Sequence, residues 1–441
     1  MTPAEGPATP PPDARDPRVI PARYLTADIP GTGGRIKQRP EDFLVDEVPL
    51  YEPAGTGEHI YLLVEKRNLA TFEMLDVIAR HFGVRRDAVG HAGLKDRVAI
   101  TRQVVSVHTP GKVPEDFPSL RHERLAVLWT DLHANKLRVG HLRGNRFSIR
   151  VRGVEPAAVL HARRVLDRLA RTGVPNRFGE QRFGAALTNH LVGRAVLLAD
   201  WDAAARELLG PGDLAPDIHR EARACFEAGD LAGAMGLYPS VCRAERAVLR
   251  VLLRGGSAER AFRSLDAASV RFFLSAFQSA VFNRVLDARI EAGSLASLAP
   301  GDLAMKLDNR AVFAVDEAVA SDPGTADRLA RLEISPTGPL WGPSMMRAAG
   351  ITDLAEAVAL DATGLTPEAL SAFGDAHPGL IEGERRPLRV PLIDPDAEGG
   401  LDEHGPYVRV AFELPRGAYA TTVLKEIIKP ASPGAMGQAE D

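Results

Sequence analysis

A chain of 441 residues exceeds one ordinary domain and suits two or three, and with 45% apolar residues it can bury a substantial core. Its net charge of −4 argues against a uniformly basic nucleic-acid binder. Its two cysteines, Cys225 and Cys242, stand apart with no CxxC, which argues against a disulfide framework or zinc cage and suits a reducing cytoplasm. No apolar run approaches the ~18–20 residues that span a bilayer, so no membrane partner is expected.

The opening "MTPAEGPATPPPDARDP" lacks the charged-then-apolar pattern of a signal peptide and predicts a disordered, Pro-rich tail. Residues 34–50 predict a strand entered through Pro40, with Phe43, Val45 and Glu47 on one side and Leu44 and Asp46 on the other. "EHIYLLVEKR" predicts a second strand. "ATFEMLDVIARHFG" predicts a helix that Thr71 caps and Gly83 ends, with Phe72, Leu75, Ala79 and Phe82 on one face. "RVAITRQVVSVH" and "RLAVLWTDLH" follow as strands. "GNRFSIRVRG" then alternates Phe147, Ile149 and Val151 against Arg146, Ser148, Arg150 and Arg152, a strand with one wet, basic face. "EPAAVLHARRVLDRLARTG" predicts an amphipathic helix with Pro156 in its first turn and Gly173 at its end. Residues 185–380 are mostly helical in texture and include a run of about seven turns, "ASVRFFLSAFQSAVFNRVLDARIEAG". Strand texture returns in "RRPLRVPL", "PYVRVAFELP" and "AYATTVLKEII". Strands, then helices, then strands predict a β-rich domain interrupted by a helical insertion. The C-terminal "ASPGAMGQAED" predicts a second disordered tail.

Known cofactor motifs are missing. "GTGGR" lacks the Lys-Ser/Thr of a phosphate loop, the twelve histidines form no metal-ligand spacing, and no G-x-S-x-G occurs. Three other segments carry chemistry. In "HAGLKDRVAITRQ" a glycine turn delivers Asp96 between Lys95 and Arg97, as an ionised acid in a basic groove or as a turn cap beside a strand. In "GNRFSI" the amide of Asn145 suits a base edge and Phe147 could stack on a base, or the two are a turn residue and a core residue. In "VPNRFGEQRFG" aromatic residues interleave with Arg177 and Arg182, which suits single-stranded or flipped RNA and equally suits a hinge. Between Lys136 and Arg182 twelve basic residues meet three acidic ones, a window of +9 on an otherwise acidic chain.

Taken in order, "RPEDFLVDE", "HAGLKDRVAITRQ", "GNRFSIRVRG", "GVPNRFGEQRFG", "LSAFQSAVFNRVL", "TGPLWG" and "LPRGAYATTVLKEII" resemble the TruD family of tRNA pseudouridine synthases, across roughly residues 34–428. The resemblance implies an α+β pseudouridine-synthase fold with a mixed, mainly antiparallel sheet. Its catalytic domain would be discontinuous, 34–170 and 383–430, around a mostly helical insertion, 171–382, with tails at 1–33 and 431–441. It implies an isomerase without cofactor or metal that converts uridine to pseudouridine in tRNA, with uridine 13 of the D arm as target, in the cytoplasm and as a monomer. Asp96 of the G-x-K-D motif matches the catalytic residue. Lys37, Phe43, Asn145, Phe147 and Phe412 match substrate-binding positions, and Arg97, Arg146, Arg177 and Arg182 are expected on RNA. Phe147 is expected to stack on the flipped base, with truncation costing more turnover than stability. The longer N-terminal tail and the loop-rich stretch between "TGPLWG" and "RRPLR" depart from the family pattern. The rival readings are a catalytically inactive RNA-binding protein or RNA chaperone on the same scaffold, and a metal-dependent nuclease built on Asp96.

Overall fold

The structure, a computed structural model, describes residues 23–212, 214–215 and 217–430. The expected tails therefore lie outside the described residues, except for 23–33. The chain divides into two compact units. One holds Leu25–Val174 and the chain from Val390 onward, and the other holds Pro175–Arg389 with residues 23–24.

The first unit is built on an eight-stranded sheet. Its strands are β1 (Phe43–Pro49), β2 (His59–Arg67), β3 (Val89–His91), β4 (Ile100–His108), β5 (Leu125–His133) and β6 (Leu142–Arg152), joined by the late strands Ile393–Asp402 and Gly405–Pro415. The order runs Ile393–Asp402, Gly405–Pro415, β6, β1, β4, β2, β5, with β3 on β4. Only the β1–β4 pair is parallel, so the expected mixed, mainly antiparallel sheet is observed. Along one edge of β4, β1 pairs at 100–102 and β3 at 105–107, because β2 occupies the whole of the other edge.

Period-two alternation decides which face is dry. Phe412, Phe147, Val45, Thr101 and Lys66 lie in register across five strands and therefore share one face. α2 (Val159–Thr172) and the helix Ala420–Ile428 cover the Phe43/Phe147 portion of that face, through Val165, Leu166, Leu169, Val423, Leu424 and Ile427. α1 (Thr71–His81) covers the β2 portion, through Met74, Leu75 and Ile78.

Four local expectations change. Ala420–Ile428 is a helix although "AYATTVLKEII" has strand texture. Its apolar positions recur at helical spacing, and burying Val423, Leu424, Ile427 and Ile428 against the sheet outweighs β-branched propensity. Thr71 is the first helical residue of α1 and not its cap, and Phe72 is exposed beneath the Arg86 guanidinium. Arg152, at the end of the basic face of β6, is buried rather than wet. Its guanidinium donates to Asp42 at 2.7–2.8 Å and to Asp402 at 2.8–2.9 Å. The Arg152 guanidinium holds the Asp402 carboxyl well below the usual carboxylate range. Residues 23–33 are packed rather than tail-like. Glu426 on the last helix accepts from the Leu25 and Thr26 amides at 2.9 and 3.0 Å and from the Thr26 hydroxyl at 2.6 Å.

The second unit is mostly helical around the 25-residue helix Ala267–Glu291. It also carries a four-stranded sheet of Leu303–Lys306, Val312–Ala314, Ile334–Leu340 and Glu384–Pro387; the last overlaps the strand texture of "RRPLRVPL", whereas the three between 185 and 380 are not predicted by the sequence texture. Arg385 and Glu356 form a buried ion pair beside it at 2.6 Å.

Glu426→Gln tests the N-terminal anchor. An amide cannot accept on both sides, so one charged hydrogen bond worth about 1.5–3 kcal/mol is lost. Native-state hydrogen exchange at the Leu25 and Thr26 amides is expected to accelerate roughly 10–150-fold, with the central strands unaffected.

Candidate active site

Residues 92–99 connect β3 to β4 without regular structure, and Asp96 lies in this connection. Its side chain is 36% exposed. Gly93 is not in the left-handed region, and a Cβ there would meet nothing closer than 3.6 Å. The glycine the connection needs is Gly90, where a Cβ would stand 2.2 Å from the Leu137 carbonyl.

The cation at Asp96 is Lys37, whose Nζ lies 2.5 Å from Oδ1 and whose side chain is 8% exposed. Lys37 itself has φ of 56°, a left-handed conformation that lysine rarely adopts, so the surrounding structure holds it there. Lys95 turns inward and pairs with Glu47 at 2.6 Å, while Arg97 is exposed. Lys37 also lies 4.6 Å over the Phe43 ring. Phe43 meets Phe147 edge-on at 6.4 Å, and Phe147 meets Phe412 at 5.6 Å. Lys37, Phe43, Phe147 and Phe412 thus run as one contact chain from Asp96 along the sheet face. Asn145 is two residues from Phe147 on β6, in register with Glu47 and Leu414. Its Oδ1 is buried without a partner, as are the Thr101 hydroxyl and both polar atoms of the Gln103 amide. These three side chains line the sheet floor near the Asp96 segment.

Phe147 is a core residue in this structure, 7% exposed within the main apolar cluster. Its parity with Ile149 and Val151 carries it inward, so it presents little free stacking face. Arg146, on the opposite parity, is exposed and stands 3.4 Å from Asp394 and 3.8 Å from Glu413. Arg177 and Arg182 belong to the second unit. Arg177, expected on RNA, is buried and paired with Asp287 of the long helix, which commits its guanidinium to the fold. Arg182 lies over the Phe178 ring at 5.4 Å and donates to the Ser279 hydroxyl at 3.3 Å.

Sequence reasoning passes over Lys66, Thr71 and Glu47. Lys66 is fully buried, and burial pushes its ammonium down to about 8, with Asp96 opposing. Its Nζ donates to the carbonyls of Leu69 at 2.7 Å and Asp96 at 2.6 Å, and lies 3.5 Å from that of Lys95. The Thr71 hydroxyl accepts from the Lys95 amide at 3.0 Å and donates to the Lys95 carbonyl at 3.2 Å. The signal available in sequence is parity, since Lys66 shares a side of β2 with Ile60, Leu62 and Val64. Among the described residues no three His, Cys, Asp or Glu side chains gather as a metal-ligand set.

Phe147→Ala is expected to lower the unfolding free energy of the first unit by about 3–5 kcal/mol, as for other large buried side chains. Urea denaturation followed by a probe in that unit checks it, and a loss under ~1 kcal/mol would return Phe147 to a surface role.

Comparison with known proteins identifies the family. A family model described as tRNA pseudouridine synthase D (TruD) matches residues 20–427. The tRNA pseudouridine synthase D of Geobacter sulfurreducens is 46% identical over 416 residues, 94% of this chain and 98% of that one. That of Anaeromyxobacter dehalogenans is 38% identical over 406 residues, 92% and 96% of the two chains. A crystal structure of a candidate tRNA pseudouridine synthase D from Methanosarcina mazei superposes with a TM-score of 0.80 at 28% identity, over 94% of this chain and 97% of that one. With the fold, the motif order and these relatives in agreement, the chain belongs to the TruD family and is a tRNA pseudouridine synthase, an isomerase of uridine in tRNA.

Proposed function

We propose that the chain converts uridine 13 in the D arm of tRNA to pseudouridine, with Asp96 as the catalytic carboxylate and no cofactor. The observation that carries the reading is the Lys37–Asp96 ion pair at 2.5 Å, set against the Phe43–Phe147–Phe412 wall. The reaction breaks the N1–C1′ bond and joins C5 to the same ribose carbon. The proton leaves C5 and N1 gains one, so no atom is added or lost. Asp96 can attack C1′ or assist removal of the C2′ proton on the way to a glycal, and either role requires a partly exposed, ionised acid held beside the ribose. The target base flips out of folded tRNA at a cost of a few kcal/mol. Phe43, Phe147 and Phe412 are buried and back the site rather than stack on the base, so contacts of the tRNA phosphates with exposed arginines offset that cost. Asn145, whose Oδ1 has no protein partner, accepts from a uracil N–H. Lys37 holds Asp96 in place, and Arg97, Arg146 and Arg182 meet phosphates. Lys37, Phe43, Asp96, Asn145, Phe147 and Phe412 come from one unit of one chain, which suits a monomer acting in the cytoplasm where tRNA is found.

The test is incubation of the purified protein with unmodified tRNA, with and without EDTA, and mapping of pseudouridine by carbodiimide-stop sequencing. Pseudouridine at position 13 in both arms is expected. Binding without product would favour the RNA-chaperone reading, and EDTA-sensitive cleavage the nuclease. Asp96→Asn is expected to keep tRNA affinity and drop turnover below a tenth, a barrier increase above ~1.4 kcal/mol. A variant above that level would remove Asp96 from the chemistry. Arg146→Ala is expected to weaken tRNA binding and reduce the slope of log K against log salt by about 0.7–0.9, one phosphate contact. An unchanged slope would take Arg146 off the RNA.

A further inference from the structure

Lys66 is an expensive residue to bury. A charged ammonium with no exposure pays a desolvation cost that an aliphatic side chain would avoid, and the Ile60–Val64 side of β2 is otherwise apolar. Its hydrogen bonds explain what it does there. They run to the backbone carbonyls of Leu69 and Asp96, with the Lys95 carbonyl at 3.5 Å. The same short segment is gripped from two other elements. Thr71 of α1 binds both backbone polar groups of Lys95, and Glu47 of β1 binds the Lys95 ammonium. Glu47 is itself fixed, since its second oxygen accepts from the Val104 amide at 3.1 Å. The dipeptide Lys95–Asp96 is therefore held from β1, β2 and α1, while the Asp96 carboxylate stays clear of all three.

We propose that Lys66 is a positioning residue, which with Thr71 sets the height and direction of the Asp96 carboxylate by clamping the Lys95–Asp96 backbone. The proposal rests on the assignment of Asp96 as the catalytic residue. A lysine suits the task because its ammonium carries three rotatable donors and can serve two carbonyls from different loops at once. Losing it frees a connection of eight residues that has no internal ladder, and displacement of the reacting atom by about 1 Å can cost about 100-fold in rate.

The experiment measures single-turnover rate at saturating enzyme, tRNA dissociation constant and melting temperature on one unmodified tRNA transcript. It uses the wild type, Lys66→Met, Thr71→Val and Thr71→Ser. Lys66→Met is expected to lose about 100-fold in rate with affinity held within about threefold. Thr71→Val is expected to lose about 10-fold, and Thr71→Ser, which keeps the hydroxyl, to stay within about threefold of wild type. A merely structural role would lower the melting temperature and leave the rate per folded molecule unchanged. Rates of Lys66→Met and Thr71→Val both within threefold of wild type, per folded molecule, overturn the proposal. If Lys66→Met does not fold, the Thr71 pair decides alone. A wild type without product overturns the assignment of function and this proposal with it, whereas an active wild type with unaffected variants overturns only the clamp.

Discussion

The site depends on a change of partner along one edge of β4. β1 pairs with β4 only as far as Arg102, and β3 takes over from Val105. At the handover the Val104 amide has no strand opposite it, and a buried N–H without an acceptor is costly. Glu47, at the point where β1 leaves, supplies the missing acceptor with its carboxylate. A carboxylate buried there needs a cation, and Lys95 provides it. The residue after Lys95 is Asp96. A local interruption of the ladder thus becomes the foundation of the Asp96 segment, through a chain of groups each satisfying the one before.

The aromatic wall follows from a different requirement. β6 lies between β1 and Gly405–Pro415, so its inward residues meet neighbours on both sides. Phe147 is flanked by Val45 and Phe412 in register, and Phe43 lies diagonally. This packing makes the wall stiff and places it under the Lys37 ammonium, where the ring faces are electrostatically attractive to a cation. Two residues further along β6 the floor turns polar, at Asn145. The apolar and polar portions lie side by side because the strand alternates and its register is fixed by both partners.

Much of this is legible in the sequence because strands write their faces at period two. Phe43, Val45 and Glu47 read as one side, as do Phe147, Ile149 and Val151, and the structure buries both sets. Asp96 is legible because a G-x-K-D motif recurs in a family. What stays hidden depends on partners distant in the chain. Lys37 meets Asp96 across 59 residues, Arg177 meets Asp287 across 110, and Thr26 meets Glu426 across 400. No local pattern announces such pairs, so a buried arginine resembles an RNA-binding one, and an anchored segment resembles a tail. The helix Ala420–Ile428 is hidden for a related reason. Its β-branched residues favour a strand locally, and only the sheet it packs on makes the helical face worth burying.

A carboxylate that takes part in a reaction has to be fixed without being quieted. Hydrogen bonds donated to its oxygens would hold it firmly but would stabilise the anion and blunt it as a nucleophile or base. Here the firm contacts go to the peptide carbonyl of Asp96 and to its neighbour Lys95, through Lys66, Thr71 and Glu47. The side chain itself receives one, from Lys37 to Oδ1. Fixing the backbone and sparing the side chain separates the two demands. The first is met by the buried side chains of Lys66, Thr71 and Glu47. The second leaves part of the carboxylate open to whatever enters the groove.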